Sequence, residues 1–106
     1  MWHEDDKMME VYTTLENDGS PFPRVCPACG QSHAHVLMHK FESSSPRGTV
    51  WSWCDSCGGY AHFDAVVPVW WGNPGFVNED RLDSLVDYPD GISAKIDEWV
   101  NTLLEQ

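Results

Sequence analysis

Four cysteines in two pairs of one spacing dominate what this chain can become: C-x2-C at Cys26 and Cys29, 24 intervening residues, then C-x2-C again at Cys54 and Cys57. A two-residue gap lets one tight turn aim both sulfurs the same way. Gly30 and Gly58, directly after each pair, can take the positive-φ backbone that frees N–H groups to bond those sulfurs. The stretch between the pairs is long enough for two strands and their turn, so a hairpin would carry the second pair back to the first. Each pair is then half of a tetrahedral metal site, and the spacing is a strong zinc signal.

Other uses of the thiols fit less well. A redox dithiol of the thioredoxin type needs one C-x-x-C beside a βαβ pattern, which the sequence lacks. Disulfides require an oxidising compartment. The opening "MWHEDDKMME" is acidic where a secretory signal would be basic, and the longest apolar run, "AVVPVWW", is far short of the roughly 20 residues that span a bilayer. A cytoplasmic protein with reduced thiols is expected. Iron remains the alternative metal for four thiolates.

With 106 residues the chain suits a single domain with a modest core, for which a metal would be a useful supplement. The expected division is an acidic N-terminal segment at 1–24, the cysteine-bearing unit at 25–67, a tryptophan-rich loop at 68–77 and an acidic helical segment at 78–106. Charge follows the same division. Residues 1–20 carry a net −5, residues 21–78 are neutral, and residues 79–106 carry −6, for −11 overall. Such a field repels phosphate backbones and attracts basic surfaces. It argues against direct nucleic-acid binding and for a protein partner with a basic face.

Pattern then supplies the elements. In "SHAHVLMHKFES", His33, His35, Leu37, His39 and Phe41 alternate with Ala34, Val36, Met38 and Lys40, the period of a strand with neither face wholly polar. "SSSPRG" has turn composition, "TVWSWC" is β-branched and aromatic, and "YAHFDAVV" reads as a third strand ending at Pro68. The N-terminal "MMEVYTTL" fits a strand or a helical turn equally. Asn78 can cap a short helix, "EDRLDSLVDY". The closing stretch sets Ile92, Ile96, Trp99, Val100, Leu103 and Leu104 on one stripe of an amphipathic helix, with Lys95, Asp97, Glu98, Asn101 and Glu105 opposite. The expected fold is α+β: a small three-stranded antiparallel sheet with a C-terminal helix packed on it.

With "CPACG" and "CDSCGG" as its two knuckles, residues 25–63 resemble the zinc ribbon family. The resemblance implies one structural zinc held by Cys26, Cys29, Cys54 and Cys57 on a small antiparallel sheet, and it implies no single activity. The wider pattern "HVLMH", "WSWCDSC", "VPVWWGNP" and "KIDEWVNTLL" is similar to a group of small bacterial zinc-containing proteins over about three quarters of the chain. That likeness brings no chemistry with it.

Four protein ligands leave no open position for water or substrate, so the metal is expected to serve the fold. His33, His35, His39 and His62 cluster near the hairpin and make a second metal site conceivable; the plainer reading is half-buried rings bonding carbonyls or carboxylates. No activated nucleophile, metalloprotease helix or phosphate-cradling glycine loop is present, and no enzyme is expected. Trp51, Trp53, Trp70 and Trp71 read mostly as core. One or two rings of the 68–77 loop, Trp70 or Trp71, would instead anchor a partner, flanked by Glu79, Asp80, Asp83, Asp87 and Asp90. A small acidic inhibitor or immunity protein against a bacterial toxin matches this composition; a zinc-ribbon adaptor or an accessory subunit of transcription or RNA machinery is the alternative.

Overall fold

The structure is a computed structural model and describes residues 3–17, 19–42, 44–74 and 91–105. Its elements are strand β1 (His3–Glu4), a 3-10 turn (Asp6–Met8) running into the short helix α1 (Met9–Thr13), strands β2 (Ala34–Lys40), β3 (Arg47–Cys54) and β4 (Gly59–Val66), and helix α2 (Gly91–Leu104). The fold is α+β. The three expected strands form an antiparallel meander, with Leu37 opposite Trp51 and Trp51 opposite His62.

The sheet has a fourth strand, which corrects the expectation of a purely antiparallel one. β1 lies parallel to β4 at the edge, in the order β1-β4-β3-β2. Its backbone bonds include those from the His3 N–H to the Gly58 carbonyl and from the Asp5 N–H to the Tyr60 carbonyl, both at 2.9 Å. A two-residue strand has no periodicity to read. Its existence follows from the open edge that β4 offers beside the second cysteine pair.

Both faces of β2 and β3 are covered, which explains why neither strand shows a polar face. On one side Ala34, Val36, Met38 and Val50 share one buried core with Met8, Val11 and Leu15 of the N-terminal segment, and Ser52 is buried on the same face. The buried Ser52 hydroxyl donates to the Met8 carbonyl at 2.6 Å, and Tyr12 meets Phe63 edge-on at 5.5 Å. On the other side α2 packs over β2, with Ile96 and Val100 fully buried. β4 lies beyond the helix, so its outer positions His62, Asp64 and Val66 remain exposed.

Gly48 in β3 is required by space: a Cβ there would fall on the His39 carbonyl oxygen and Val67 Cγ2. The close approach lets Val67 seal the end of the sheet, its N–H bonding the Pro46 carbonyl. The following loop folds back on the core. Trp71 is 3% exposed, Asn73 bonds both the N–H and the carbonyl of Lys40, and the Trp99 indole donates to the Gly72 carbonyl at 2.8 Å.

The polar side of α2 differs from the sequence reading. Ser93, Asp97 and Asn101 recur every four residues and turn inward beside the apolar stripe. Ser93 accepts from the Trp53 indole at 3.2 Å, Asp97 meets His35, and Asn101 bonds the N–H and carbonyl of Phe22 at 2.7 and 3.0 Å. The helix therefore docks through a polar seam as well as an apolar one. Among the described residues no helix is long and apolar enough to cross a membrane.

Candidate metal centre

Each cysteine pair sits in a turn at a strand end. The first precedes β2; the second joins β3 to β4. In both, the glycine after the pair has positive φ, +80° at Gly30 and +76° at Gly58, and its N–H returns to the carbonyl of the first cysteine at 2.9 and 3.0 Å. That bond closes the turn and leaves the intervening N–H groups aimed at sulfur. Ala28 and Cys29 donate to Cys26 Sγ at 3.3 and 3.4 Å, and Ser56 and Cys57 serve Cys54 in the same way.

The hairpin register brings the two turns together, with Ala34 opposite Cys54. All four Sγ atoms lie within 4.8 Å of one another. Cys26 and Cys57 are 3.9 Å apart and Cys29 and Cys54 3.7 Å, well beyond the roughly 2.05 Å of a disulfide. A tetrahedron with metal–sulfur bonds of about 2.3 Å has sulfur–sulfur edges of about 3.8 Å. The four cysteines could therefore hold one metal ion, and no ligand position would be left over. The arrangement is compatible with a zinc-ribbon-like site.

The centre straddles the edge of the core. Cys26 and Cys54 are buried, Cys57 is half-buried and Cys29 is exposed. Burial pushes the Cys54 thiol up to about 12 and raises that of Cys26. Cys29 is drawn down to about 7, foremost by the backbone N–H of Gln31. A cation bound among the four sulfurs would deprotonate the thiols outright. Met8 closes the inner side, its sulfur 3.6 Å from Cys26 Sγ, a contact between distant segments that no spacing announces.

The histidines do not assemble a second centre: among the described residues the four cysteines are the one group of three or more His, Cys, Asp or Glu side chains placed for a metal. His62 stacks on Trp51 with centroids 4.4 Å apart and meets Thr49 at 2.9 Å. His39 lies edge-on to Phe41, and His33 is exposed.

His35 is bonded through both ring nitrogens. Nδ1 lies 2.6 Å from Asp97 Oδ1 on α2, and Nε2 lies 2.6 Å from Asp55 Oδ2 in the second cysteine turn. A neutral imidazole has one N–H, which would leave a lone pair facing a carboxylate, so the arrangement favours the doubly protonated ring. Burial alone would lower its affinity for the second proton; the hydrogen bond and charge of Asp97, then those of Asp55, outweigh this and raise its pKa above the ordinary 6.5. A raised pKa in the folded state stabilises the fold in full below about pH 6.5, and that contribution is lost as pH rises through the folded value. The unfolding free energy of the parent relative to a His35→Gln variant, with metal saturating, should accordingly be largest near pH 6.5 and shrink at higher pH. A difference independent of pH would show that the ring is neutral.

The expected partner surface is only partly described. Trp71 is buried and bonds Asn73 through its indole at 3.3 Å, so it offers no exposed anchor. Trp70 is half-buried and donates to Glu16 Oε1 at 3.2 Å. Glu79, Asp80, Asp83, Asp87 and Asp90, and the helix expected from Asn78, lie outside the described residues. No protein-family profile, curated protein or solved structure matches the chain.

Proposed function

We propose that the chain is a zinc-ribbon protein in which Cys26, Cys29, Cys54 and Cys57 hold one structural zinc, and that it acts without catalysis by binding another protein. The closed four-sulfur shell carries the metal assignment: edges of 3.7 and 3.9 Å suit tetrahedral zinc, and four thiolates leave no position where a substrate could be activated. Metal analysis of protein purified without supplementation should find one zinc per chain. A content near zero, with oxidised cysteines, would refute the assignment.

The net charge of −11 supports a partner with a basic surface. Charge of that density raises association rates and selects against acidic and nucleic-acid competitors. Neutralisation of a basic toxin by covering its active surface uses these features directly. Affinity capture from extract, followed by assay of the purified complex, tests this: an enzyme recovered with its activity suppressed supports inhibition, whereas one recovered fully active favours an adaptor.

A further inference from the structure

The metal centre and helix α2 are joined by three side chains. Asp55 follows Cys54 directly, and its N–H is held by the His33 carbonyl at 3.2 Å. Its carboxylate accepts from His35, and the other ring nitrogen of His35 donates to Asp97 on α2, both at 2.6 Å. These are short charge-assisted bonds. The His35 ring also lies against Trp53, 5.4 Å between centroids, and the Trp53 indole reaches Ser93 one helical turn before Asp97. Thus α2 sends two anchors to the residues that flank Cys54, although it lies about forty positions further along the chain.

We propose that His35 and Asp97 are positioning residues for the metal centre: they fix the Asp55 turn so that Cys54 and Cys57 keep their tetrahedral spacing, and they couple metal retention to the His35–Asp97 contact with α2. The proposal rests on the four thiolates being the metal site. It follows from the path of the bonds. The Cys54–Cys57 turn is a surface turn whose Asp55 side chain is 24% exposed, and among the described residues the side-chain bond of that carboxylate runs through a buried ring to the helix. Linkage is reciprocal, so the His35–Asp97 contact tightens the metal, and the metal tightens that contact by the same factor. Groups that orient metal ligands from outside the coordination shell typically change affinity by about 10–100-fold. Asp97 acts through two intermediaries, which places the expected effect at about tenfold, the lower end of that range.

A purely structural role for the same contacts predicts loss of stability without a specific effect on the metal. Asn101 provides the comparison, because it anchors α2 on Phe22 and forms no bond to the cysteine turns. Cobalt(II) serves as probe, since its tetrahedral thiolate spectrum reports ligand number and geometry, and its affinity can be measured by competition with a chromophoric chelator. The parent should bind one cobalt with a four-thiolate spectrum. Asp97→Asn should hold it about tenfold more weakly, in line with an outer-shell effect, while Asn101→Ala should keep the parent affinity despite an equal or larger loss of melting temperature. His35→Gln, read in the same way, replaces Asp97→Asn if that variant does not fold. Parent-like affinity in the relay variants, or affinity that falls in proportion to melting temperature in all of them, would overturn the proposal. A parent that binds no cobalt would overturn the thiolate site itself, and the coupling with it.

Discussion

Replacing Cys54 by serine should abolish stoichiometric metal binding and the cooperative melting of the sheet together. Cys54 is fully buried at the end of β3, so a hydroxyl there is a weak ligand facing the core. Structural zinc contributes about 10–16 kcal/mol in small zinc-binding peptides, as much as the whole stability of a typical domain, about 5–15 kcal/mol. A chain of this length has little core to set against that loss. Cys29→Ser should be milder, because Cys29 is exposed and water can take the vacated position while three thiolates remain. Metal content by elemental analysis and unfolding followed by far-ultraviolet circular dichroism would show the contrast. A Cys54→Ser protein with one metal per chain and a parent-like melting midpoint would mean that the cysteine cluster does not organise this fold.

The parts of the molecule that were legible in the sequence are those set by local geometry. Cysteine spacing and the glycines behind it dictate the two turns, because turn closure involves only the residues within it. The alternation in β2 and the turn composition before β3 set the hairpin, and the hairpin register then brings the sulfurs together without further information. The apolar stripe of α2 was legible for the same reason. What stayed hidden depends on partners far along the chain. Asp97 and Asn101 read as a solvated face because periodicity identifies apolar positions and is silent about which polar ones meet a donor; their regular spacing with Ser93 was the available sign. His35 read as one of several histidines on a strand face, and only the tertiary arrangement separates it from His33 and His39. Trp71 is an analogous case: the sequence left it between core and an exposed anchor, and it is Asn73 and Gly72, tying that loop to Lys40 and Trp99, that decide for the core.

His35→Leu should cost about 3 kcal/mol of stability, near the lower end of what removing one member of a buried ion pair costs. The ring is 3% exposed and supplies the donors for both Asp55 and Asp97. Without it two carboxylates of like charge face one apolar side chain, and neither has another hydrogen bond from a described side chain. Asp55, at 24% exposure, can turn to water; Asp97, at 12%, recovers less. This difference holds the cost to the lower end of the range. His35→Gln should cost less, since its amide can still donate to one carboxylate and fills a similar volume against Trp53. The informative variant is the pair His35→Leu with Asp97→Leu. Removing the stranded charge along with its partner lets two apolar side chains pack between α2 and Trp53, so the double variant should be more stable than His35→Leu alone. Urea unfolding at saturating metal, with all variants at one pH, measures these differences. If His35→Leu unfolds at the parent midpoint, or if the second substitution adds its own full cost to the first, then the contacts at 2.6 Å do not carry the charge assigned to them, and α2 is held by its apolar stripe alone.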